Sequence, residues 1–121
     1  MSLRTGVDLM EIYRISTAIE RQGDAFLKRI YTQNEIALFH NNIPSLAARF
    51  AAKEAVSKAL GTGLGEISWV EVEVLRGPAG EPVLNLYGNA LLLAEKLGIV
   101  EWSISLSHTR EHAVAMVVAR S

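Results

Sequence analysis

The chain contains no cysteine, and this absence excludes both disulfide bonds and metal sites built on thiolates. No stretch approaches the ~20 apolar residues that a membrane-spanning helix needs, so we expect no membrane partner. The N-terminus lacks the charged and then apolar segments of a signal peptide, which favours a cytoplasmic location. The formal net charge is only −1, and this balance predicts no nucleic-acid partner.

Internal repeats, low-complexity tracts and long linkers are also missing from the sequence. Half of the 121 residues are apolar, and a chain of this length can bury enough surface for one domain with its own core. We therefore predict a single domain over residues 1–121.

The first half of the chain has the periodicity of helices, preceded by one short strand. We predict a strand over 3–9, helices over 10–21, 24–30 and 33–40, and a long helix that Ser45 caps and Gly61 ends. Thr32 and Glu35 have the spacing of a capping box, and so do Asp8 and Glu11. A helix cap is therefore one interpretation of Asp8. It competes with metal binding, because an oxygen bound to a metal is less free to cap.

The second half changes to the alternation of half-buried strands. The predicted strands are 69–75, 82–86, 101–107 and 112–119, with a helix over 88–97. Turns at Gly77–Gly80 and Ser107–Glu111 connect consecutive strands, so antiparallel pairing is expected. The predicted fold class is therefore α+β, with a helical N-terminal half packed on a mostly antiparallel sheet.

The last predicted strand carries little charge on either side between Ala113 and Ala119. A strand that is apolar on both faces needs cover on both faces. Helices can cover one face, and another copy of the chain can cover the other, which predicts a small oligomer. A monomer with helices on both faces is the alternative.

The long helix has one polar face and one face of small apolar residues, which can lie close against a sheet. The polar face comprises Phe50, Glu54, Ser57 and Lys58, and the small face comprises Ala48, Ala52, Ala55, Val56 and Ala59. By itself the i,i+4 spacing of Glu54 and Lys58 indicates an ordinary surface pair, which stabilises a helix by roughly 0.2–0.5 kcal/mol.

Three separate stretches change this interpretation when they are taken together. They are Gly6–Arg14, with the pattern Gly-x-Asp-x-x-Glu-x-x-Arg; Phe50–Lys58, with Phe-x-x-Lys-Glu-x-x-x-Lys, followed by Gly61-Thr62-Gly63; and Ser105–Thr109, Ser-Leu-Ser-His-Thr. Their order and the length of the chain resemble the holo-acyl-carrier-protein synthase family, the small phosphopantetheinyl transferases. The likeness spans nearly the whole chain.

The resemblance implies the fold, the reaction and the assembly. In this family coenzyme A donates its 4′-phosphopantetheine arm to a serine of an apo acyl carrier protein, and adenosine 3′,5′-bisphosphate leaves. The metal is normally Mg²⁺, which prefers hard oxygen ligands. The family forms homotrimers with each active site at a subunit boundary, which agrees with the doubly apolar last strand.

The resemblance also assigns roles to individual residues. The catalytic residues are Asp8, Glu54 and Lys58, of which Asp8 and Glu54 bind Mg²⁺. The coenzyme A contacts are Arg49, Lys53, Lys58, Gly61, Thr62, Gly63, His108 and Thr109. We also predict carrier-protein contacts at Arg14, Arg21 and Lys28, because they lie within a basic segment that also contains Arg29 and suits the acidic carrier proteins of the family. A solvated basic surface is the alternative. Glu54 or a water on the metal takes the serine proton, and an exposed turn residue is the alternative role for His108.

Two other functions remain open at the level of the sequence. One is a different Mg²⁺-dependent enzyme of nucleotide pyrophosphates, such as a hydrolase, which needs the same carboxylates but no acidic protein partner. The other is a non-catalytic oligomeric binding module, in which Asp8 caps a helix and Glu54 pairs with Lys58.

Overall fold

Five helices and five strands form the protein in a computed structural model that describes every residue from Met1 to Ser121. The strands are β1 (Leu3–Glu11), β2 (Val72–Arg76), β3 (Pro82–Leu86), β4 (Glu101–His108) and β5 (His112–Arg120). The helices are α1 (Tyr13–Gln22), α2 (Asp24–Ile30), α3 (Gln33–Phe39), α4 (Ile43–Ala59) and α5 (Gly88–Lys96), and a 3-10 turn covers Trp69–Glu71. The predicted α+β class is confirmed. No helix is both long and apolar enough to cross a membrane.

The strands form two antiparallel sheets rather than one. In the larger sheet β5 lies in the centre, between β1 and β4, so the first and last strands of the chain are neighbours. The smaller sheet is the hairpin of β2 and β3. The sequence pattern predicted antiparallel pairing correctly, but the pairing of β1 with β5 joins segments that are far apart in the chain.

Helix α4 covers the inner face of the larger sheet, as the pattern of small residues predicts. All five residues of its predicted small face are buried. Gly6 on β1 contacts the backbone of the helix directly, because a Cβ at this position would overlap the carbonyl oxygen of Ala55. The absence of a side chain on Gly6 therefore lets the strand and the helix approach closely.

The outer face of the larger sheet has no cover within one chain. On β5, Ala115 and Val117 point inward and are buried, whereas Met116 between them is 50% exposed. The neighbouring Val7 and Leu9 on β1 are 56% and 64% exposed. The last strand is thus apolar on both faces, and α4 covers only one of them.

Four predicted element boundaries are wrong by two or more residues, each because a tertiary or local partner is stronger than the assumed signal. Strand β1 continues to Glu11, since β5 pairs with it along its whole length, so no capping box forms between Asp8 and Glu11. Helix α1 begins at Tyr13 without a side-chain cap. The long helix begins at Ile43, where the Asn42 side chain accepts a hydrogen bond from the Ser45 N–H at 3.1 Å.

The fourth boundary lies before β2, which begins at Val72 and not at Trp69. Ser68 and Glu71 form a capping arrangement that holds the preceding residues in the 3-10 turn, with the Glu71 Oε1 accepting from the Ser68 N–H at 2.8 Å. The predicted capping box of Thr32 and Glu35 at the start of α3 is confirmed, with hydrogen bonds of 3.2 and 2.9 Å.

Candidate active site

Asp8 lies in the middle of β1 and faces the C-terminal half of α4. Successive residues of a strand point to opposite faces, so Gly6, Asp8 and Met10 share the inner face. The close contact at Gly6 brings this part of the strand against the helix. The Asp8 side chain is only 20% exposed. Because Asp8 is paired within a strand, helix capping no longer explains its presence.

Lys58 reaches from the last turn of α4 to the same strand. Its Nζ donates hydrogen bonds to the Val7 carbonyl at 2.9 Å and to the Asp8 Oδ1 at 3.3 Å. The Lys58 side chain is 53% exposed. An ammonium group carries three N–H donors, so one donor stays available for a ligand.

Glu54 lies one helical turn before Lys58 and close to both groups. Partial burial raises the pKa of the Glu54 carboxyl above its ordinary value, and the negative charge of Asp8 raises it further, whereas Lys58 lowers it. Two carboxylates that repel each other in a partly enclosed volume attract a cation. Helix α4 and strand β1 therefore bring together the three predicted catalytic residues.

The donor set at this point fits Mg²⁺. The protein offers two carboxylates here, and no group of three or more His, Cys, Asp or Glu side chains is arranged to hold a metal ion. Mg²⁺ takes hard oxygen ligands in an octahedron and is commonly bound by one or two carboxylates together with waters and substrate phosphates. Asp8 and Glu54 would hold such an ion, and a phosphate ligand would complete its coordination.

The Gly-Thr-Gly segment follows α4 directly and begins beside Lys58. Gly61 has φ +76°, a conformation that glycine adopts without strain, and its N–H donates to the Lys58 carbonyl at 3.0 Å. The Thr62 hydroxyl donates to Glu66 Oε2 at 2.7 Å. Nothing lies within 4 Å of a Cβ built on Gly63, so the backbone there is open to a ligand.

His108 and Thr109 lie at the opposite edge of the sheet. His108 is exposed at the end of β4 and is in register with Ala113 on β5, which in turn pairs with Met10 on β1. It therefore shares the inner face with Asp8, but two strand spacings, roughly 10 Å, separate β4 from β1. The Thr109 Oγ1 accepts hydrogen bonds from the N–H groups of Glu111 and His112 and shapes the turn. Within one chain these two residues do not join the cluster around Lys58.

Arg49 and Lys53, two predicted coenzyme A contacts, point into the protein instead. The Arg49 Nε donates to the Val74 carbonyl at 3.2 Å, and its guanidinium lies 4.0 Å from the centre of the Phe39 ring. Burial lowers the pKa of Arg49 to about 10, so it is still protonated at neutral pH. Lys53 is fully buried, and all of its donors are used inside the protein. The structure thus gives both residues internal partners and leaves neither of them on the surface beside Lys58.

The predicted carrier-protein contacts are all on the surface. Arg14 and Arg21 are exposed on α1, and Lys28 is exposed on α2 beside Arg29. None of these side chains forms an ion pair within the chain. Lys28 and Arg29 also line a groove of about 380 Å³ against the segment Leu64–Val70. The basic segment is therefore available to an acidic partner.

Sequence reasoning missed the buried role of Glu35. Its spacing correctly predicted a helix cap, and its carboxylate does accept from Thr32, but it also pairs with Lys53 in the core. The only available signal is that both charged residues lie among apolar neighbours, and this signal does not show which partner each one finds.

Known proteins resemble this chain over nearly its whole length. The profile of the 4′-phosphopantetheinyl transferase superfamily matches residues 4–117. Over 118 residues the chain is 54% identical to the holo-[acyl-carrier-protein] synthase of Dehalococcoides mccartyi, with 98% of each chain covered. This chain belongs to the holo-[acyl-carrier-protein] synthase family of 4′-phosphopantetheinyl transferases.

Solved structures of holo-[acyl-carrier-protein] synthases share the fold. That of Helicobacter pylori, determined in complex with coenzyme A, is 33% identical with a TM-score of 0.87 and covers 96% of this chain and 99% of its own. That of Neisseria meningitidis is 35% identical with a TM-score of 0.86, and 98% of each chain is covered. The family and the fold predicted from the three sequence stretches are confirmed.

Proposed function

We propose that this protein transfers the 4′-phosphopantetheine group of coenzyme A to a serine of an apo acyl carrier protein, with Mg²⁺ held by Asp8 and Glu54. The single observation that carries the proposal is the meeting of these two carboxylates with Lys58 beside the Gly-Thr-Gly segment. The names of the relatives support the same reaction.

The reaction replaces one phosphorus–oxygen bond with another. The serine oxygen of the carrier protein forms a bond to the phosphorus that bears the pantetheine arm, and the bond from this phosphorus to the bridging pyrophosphate oxygen breaks. Adenosine 3′,5′-bisphosphate leaves with the electron pair of that bond. The serine proton passes to a Glu54 oxygen or to water, so that atoms and charges balance.

The residues of this site supply positioning and charge rather than a covalent intermediate. Lys58 has one free N–H donor for a phosphate oxygen, and its positive charge opposes the negative charge that develops on the leaving group. The open backbone at Gly63 allows close approach of an anionic or nucleotide group. When bound, Mg²⁺ neutralises the pyrophosphate and orients it.

The proposed carrier-binding surface consists of Arg14, Arg21 and Lys28. These side chains are exposed and have no ion-pair partner within the chain, so their charge is available to steer an acidic carrier protein. We place this reaction in the cytoplasm, where coenzyme A and acyl carrier proteins are used together.

The proposed assembly is a homotrimer in which the outer faces of the larger sheets meet. The exposed side chains of Val7, Leu9 and Met116 form an apolar patch of the kind that marks a protein interface. The separation of His108 from Lys58 within one chain supports a site completed by a second copy, as the family resemblance implies.

A mass spectrum tests the proposed function directly. The protein is mixed with coenzyme A, Mg²⁺ and an apo acyl carrier protein, and the carrier should gain the mass of one phosphopantetheine. Controls omit Mg²⁺ or use a carrier whose acceptor serine is alanine. Cleavage of coenzyme A with no gain of mass by the carrier would indicate a hydrolase, and no reaction of either substrate would indicate a binding module.

A further inference from the structure

A second lysine–carboxylate pair lies inside the protein, on the flank of α4 that faces away from Asp8. The Lys53 Nζ is 2.8 Å from the Glu35 Oε1, and both side chains are completely buried. Burial of two charges carries a large desolvation cost, so such a pair persists only when its geometry is good and its remaining hydrogen-bonding groups are satisfied.

Every polar group of this pair has a partner. Lys53 uses its other two donors on the backbone carbonyls of Trp69 and Val72. Glu35 also accepts from the N–H of Thr32 at 2.9 Å and from the N–H of Val74 at 2.8 Å. The pair therefore joins four segments: the start of α3, the middle of α4, the 3-10 turn and strand β2.

The position of Lys53 in the helix connects this cluster to the active site. Lys53 immediately precedes Glu54, and consecutive helical residues point about 100° apart. With the Lys53 side chain held in the buried cluster, the helix cannot rotate about its axis without moving Glu54. On the other flank, the contact between Ala55 and Gly6 limits the same rotation.

The cluster also holds the far end of the segment that follows α4. This segment, residues 61–68, starts at the C-terminus of the helix beside Lys58. The next residue is Trp69. Its carbonyl accepts from Lys53, and its ring packs on Phe50 with the ring centres 4.6 Å apart. Both ends of the segment 61–68 are thus attached to α4.

We propose that Lys53, with Glu35, is a positioning residue that directs Glu54 and Lys58 towards Asp8 and anchors the segment 61–68. It acts through these groups rather than by contact with coenzyme A. The proposal rests on the function proposed above for the site, and the experiment below separates the two.

The test compares Lys53→Met, the double variant Lys53→Met/Glu35→Gln and the matched control Glu73→Gln. The Met side chain has a similar length but donates no hydrogen bond. The double variant also removes the buried negative charge that Lys53→Met leaves unpaired, so it should regain stability. Glu73 is a buried carboxylate of the same region that accepts from Thr32, Asn34, Asn85 and Tyr87, but it makes no hydrogen bond to α4 or to residues 61–69.

Two readouts distinguish positioning from general stability. The first is steady-state kinetics at varied Mg²⁺ and coenzyme A, where the double variant should lose roughly 10- to 100-fold in kcat/KM and need more Mg²⁺ for half-maximal rate. The second is amide hydrogen exchange of residues 61–69 without substrate, which should become faster in the double variant. In Glu73→Gln both readouts should stay much closer to the wild type than in the double variant, even where its melting temperature falls, because Glu73 makes no hydrogen bond to Lys53.

Wild-type kinetics and wild-type exchange in the double variant would overturn the proposal. It would also be overturned if Glu73→Gln, at the same stability as the double variant, changed kinetics and exchange by the same amounts. If the double variant does not fold, Glu35→Gln decides, because it keeps Lys53 but removes the charge that holds the Lys53 ammonium. Faster exchange of residues 61–69 in that variant supports the anchoring, and wild-type exchange with wild-type kinetics would overturn it. A wild-type protein that shows the expected exchange but transfers no phosphopantetheine would refute the proposed function and not the anchoring.

Discussion

Helix α4 carries two lysines five positions apart, and each of them pairs with a carboxylate from another part of the chain. Lys58 contacts Asp8 at 3.3 Å with more than half of its side chain exposed, whereas Lys53 contacts Glu35 at 2.8 Å with none exposed. The chemical groups are the same, and the surroundings differ. Burial, more than residue type, therefore separates a lysine that can contact a substrate from one that stabilises the fold.

The buried pair also has all of its hydrogen-bonding groups satisfied, whereas the more exposed pair does not. All three donors of Lys53 are used, and both oxygens of Glu35 accept. Lys58 has a free donor, and the nearby Glu54 carboxyl has a raised pKa because it is partly buried and close to Asp8. The site around Lys58 therefore has an unused N–H donor, which a phosphate could accept from, and two neighbouring carboxylates, which a cation could bind.

The largest expected effect is the difference in stability between the same substitution at the two lysines. Lys53→Met should lower the free energy of unfolding by about 3–5 kcal/mol, because it leaves the Glu35 charge buried without a partner. Lys58→Met should change it by no more than about 1 kcal/mol, because more than half of the Lys58 side chain is exposed. Urea denaturation of both variants measures the difference. Equal losses of stability would show that the buried Lys53 stabilises the fold no more than Lys58 does.

Substitution of Asp8 should have a large effect on activity and a small effect on stability. Asp8→Asn should lower the transfer rate by roughly 10²- to 10³-fold, the order found when one preorganised charge-stabilising group is removed. Its free energy of unfolding should stay within about 1 kcal/mol of the wild type. The mass-spectrometric transfer assay and a urea titration test the two halves. Full activity at unchanged Mg²⁺ requirement would contradict the assignment of Asp8.

A third contrast concerns the two faces of β5. Met116→Glu places a charge on the uncovered apolar face and should dissociate the trimer while each chain stays folded. Val117→Glu places the same charge beneath α4, where Val117 is fully buried, and should unfold the chain. Sedimentation equilibrium together with circular dichroism separates these outcomes. A wild type that sediments as a monomer at micromolar concentration would refute the trimer.

The basic segment should have a smaller effect, limited to one substrate. Arg14→Glu and Arg21→Glu should raise the KM for the carrier protein by roughly five- to tenfold, which corresponds to about 1 kcal/mol for exposed charge pairs. The KM for coenzyme A should hardly change. The wild-type KM for the carrier should itself rise with salt, since exposed charges are screened within about 8–10 Å. Equal changes in both constants would show that these arginines do not form the docking surface.

The smallest expected effect is a change in how stability depends on pH. Because the folded-state pKa of Glu54 is raised above its ordinary value of 4.5, the folded state binds more protons than the unfolded state just above that pH. The contribution of Glu54 to stability therefore falls as the pH rises from 4.5 through the raised pKa. In Glu54→Gln this fall should disappear, which denaturation at several pH values without Mg²⁺ can measure. A wild type and variant with parallel pH profiles would contradict the shift.

Most elements followed from local patterns, whereas the three catalytic candidates followed from the combined resemblance of three separate stretches to one family. The small face of α4, the capping box at Thr32 and the alternation of the strands are properties of neighbouring residues, so they are readable in order along the chain. The boundary between β1 and α1 failed because a distant segment competes with a local signal, whereas those at the starts of α4 and β2 failed because a different local cap forms. Strand β1 extends through the expected cap of α1 because β5, about a hundred residues later, pairs with it.

The sequence by itself selected Asp8, Glu54 and Lys58 as candidates, but only because three separate stretches together resemble one family; the spacing of Glu54 and Lys58 alone indicates a surface pair. Only the tertiary structure decided that Lys53 belongs to the core and Lys58 to the site. Both are lysines in the same helix with the same intrinsic preferences, and their roles differ because β2 and α3 enclose one of them while β1 leaves the other partly in water. Burial depends on what packs across a side chain, and no local pattern contains that information.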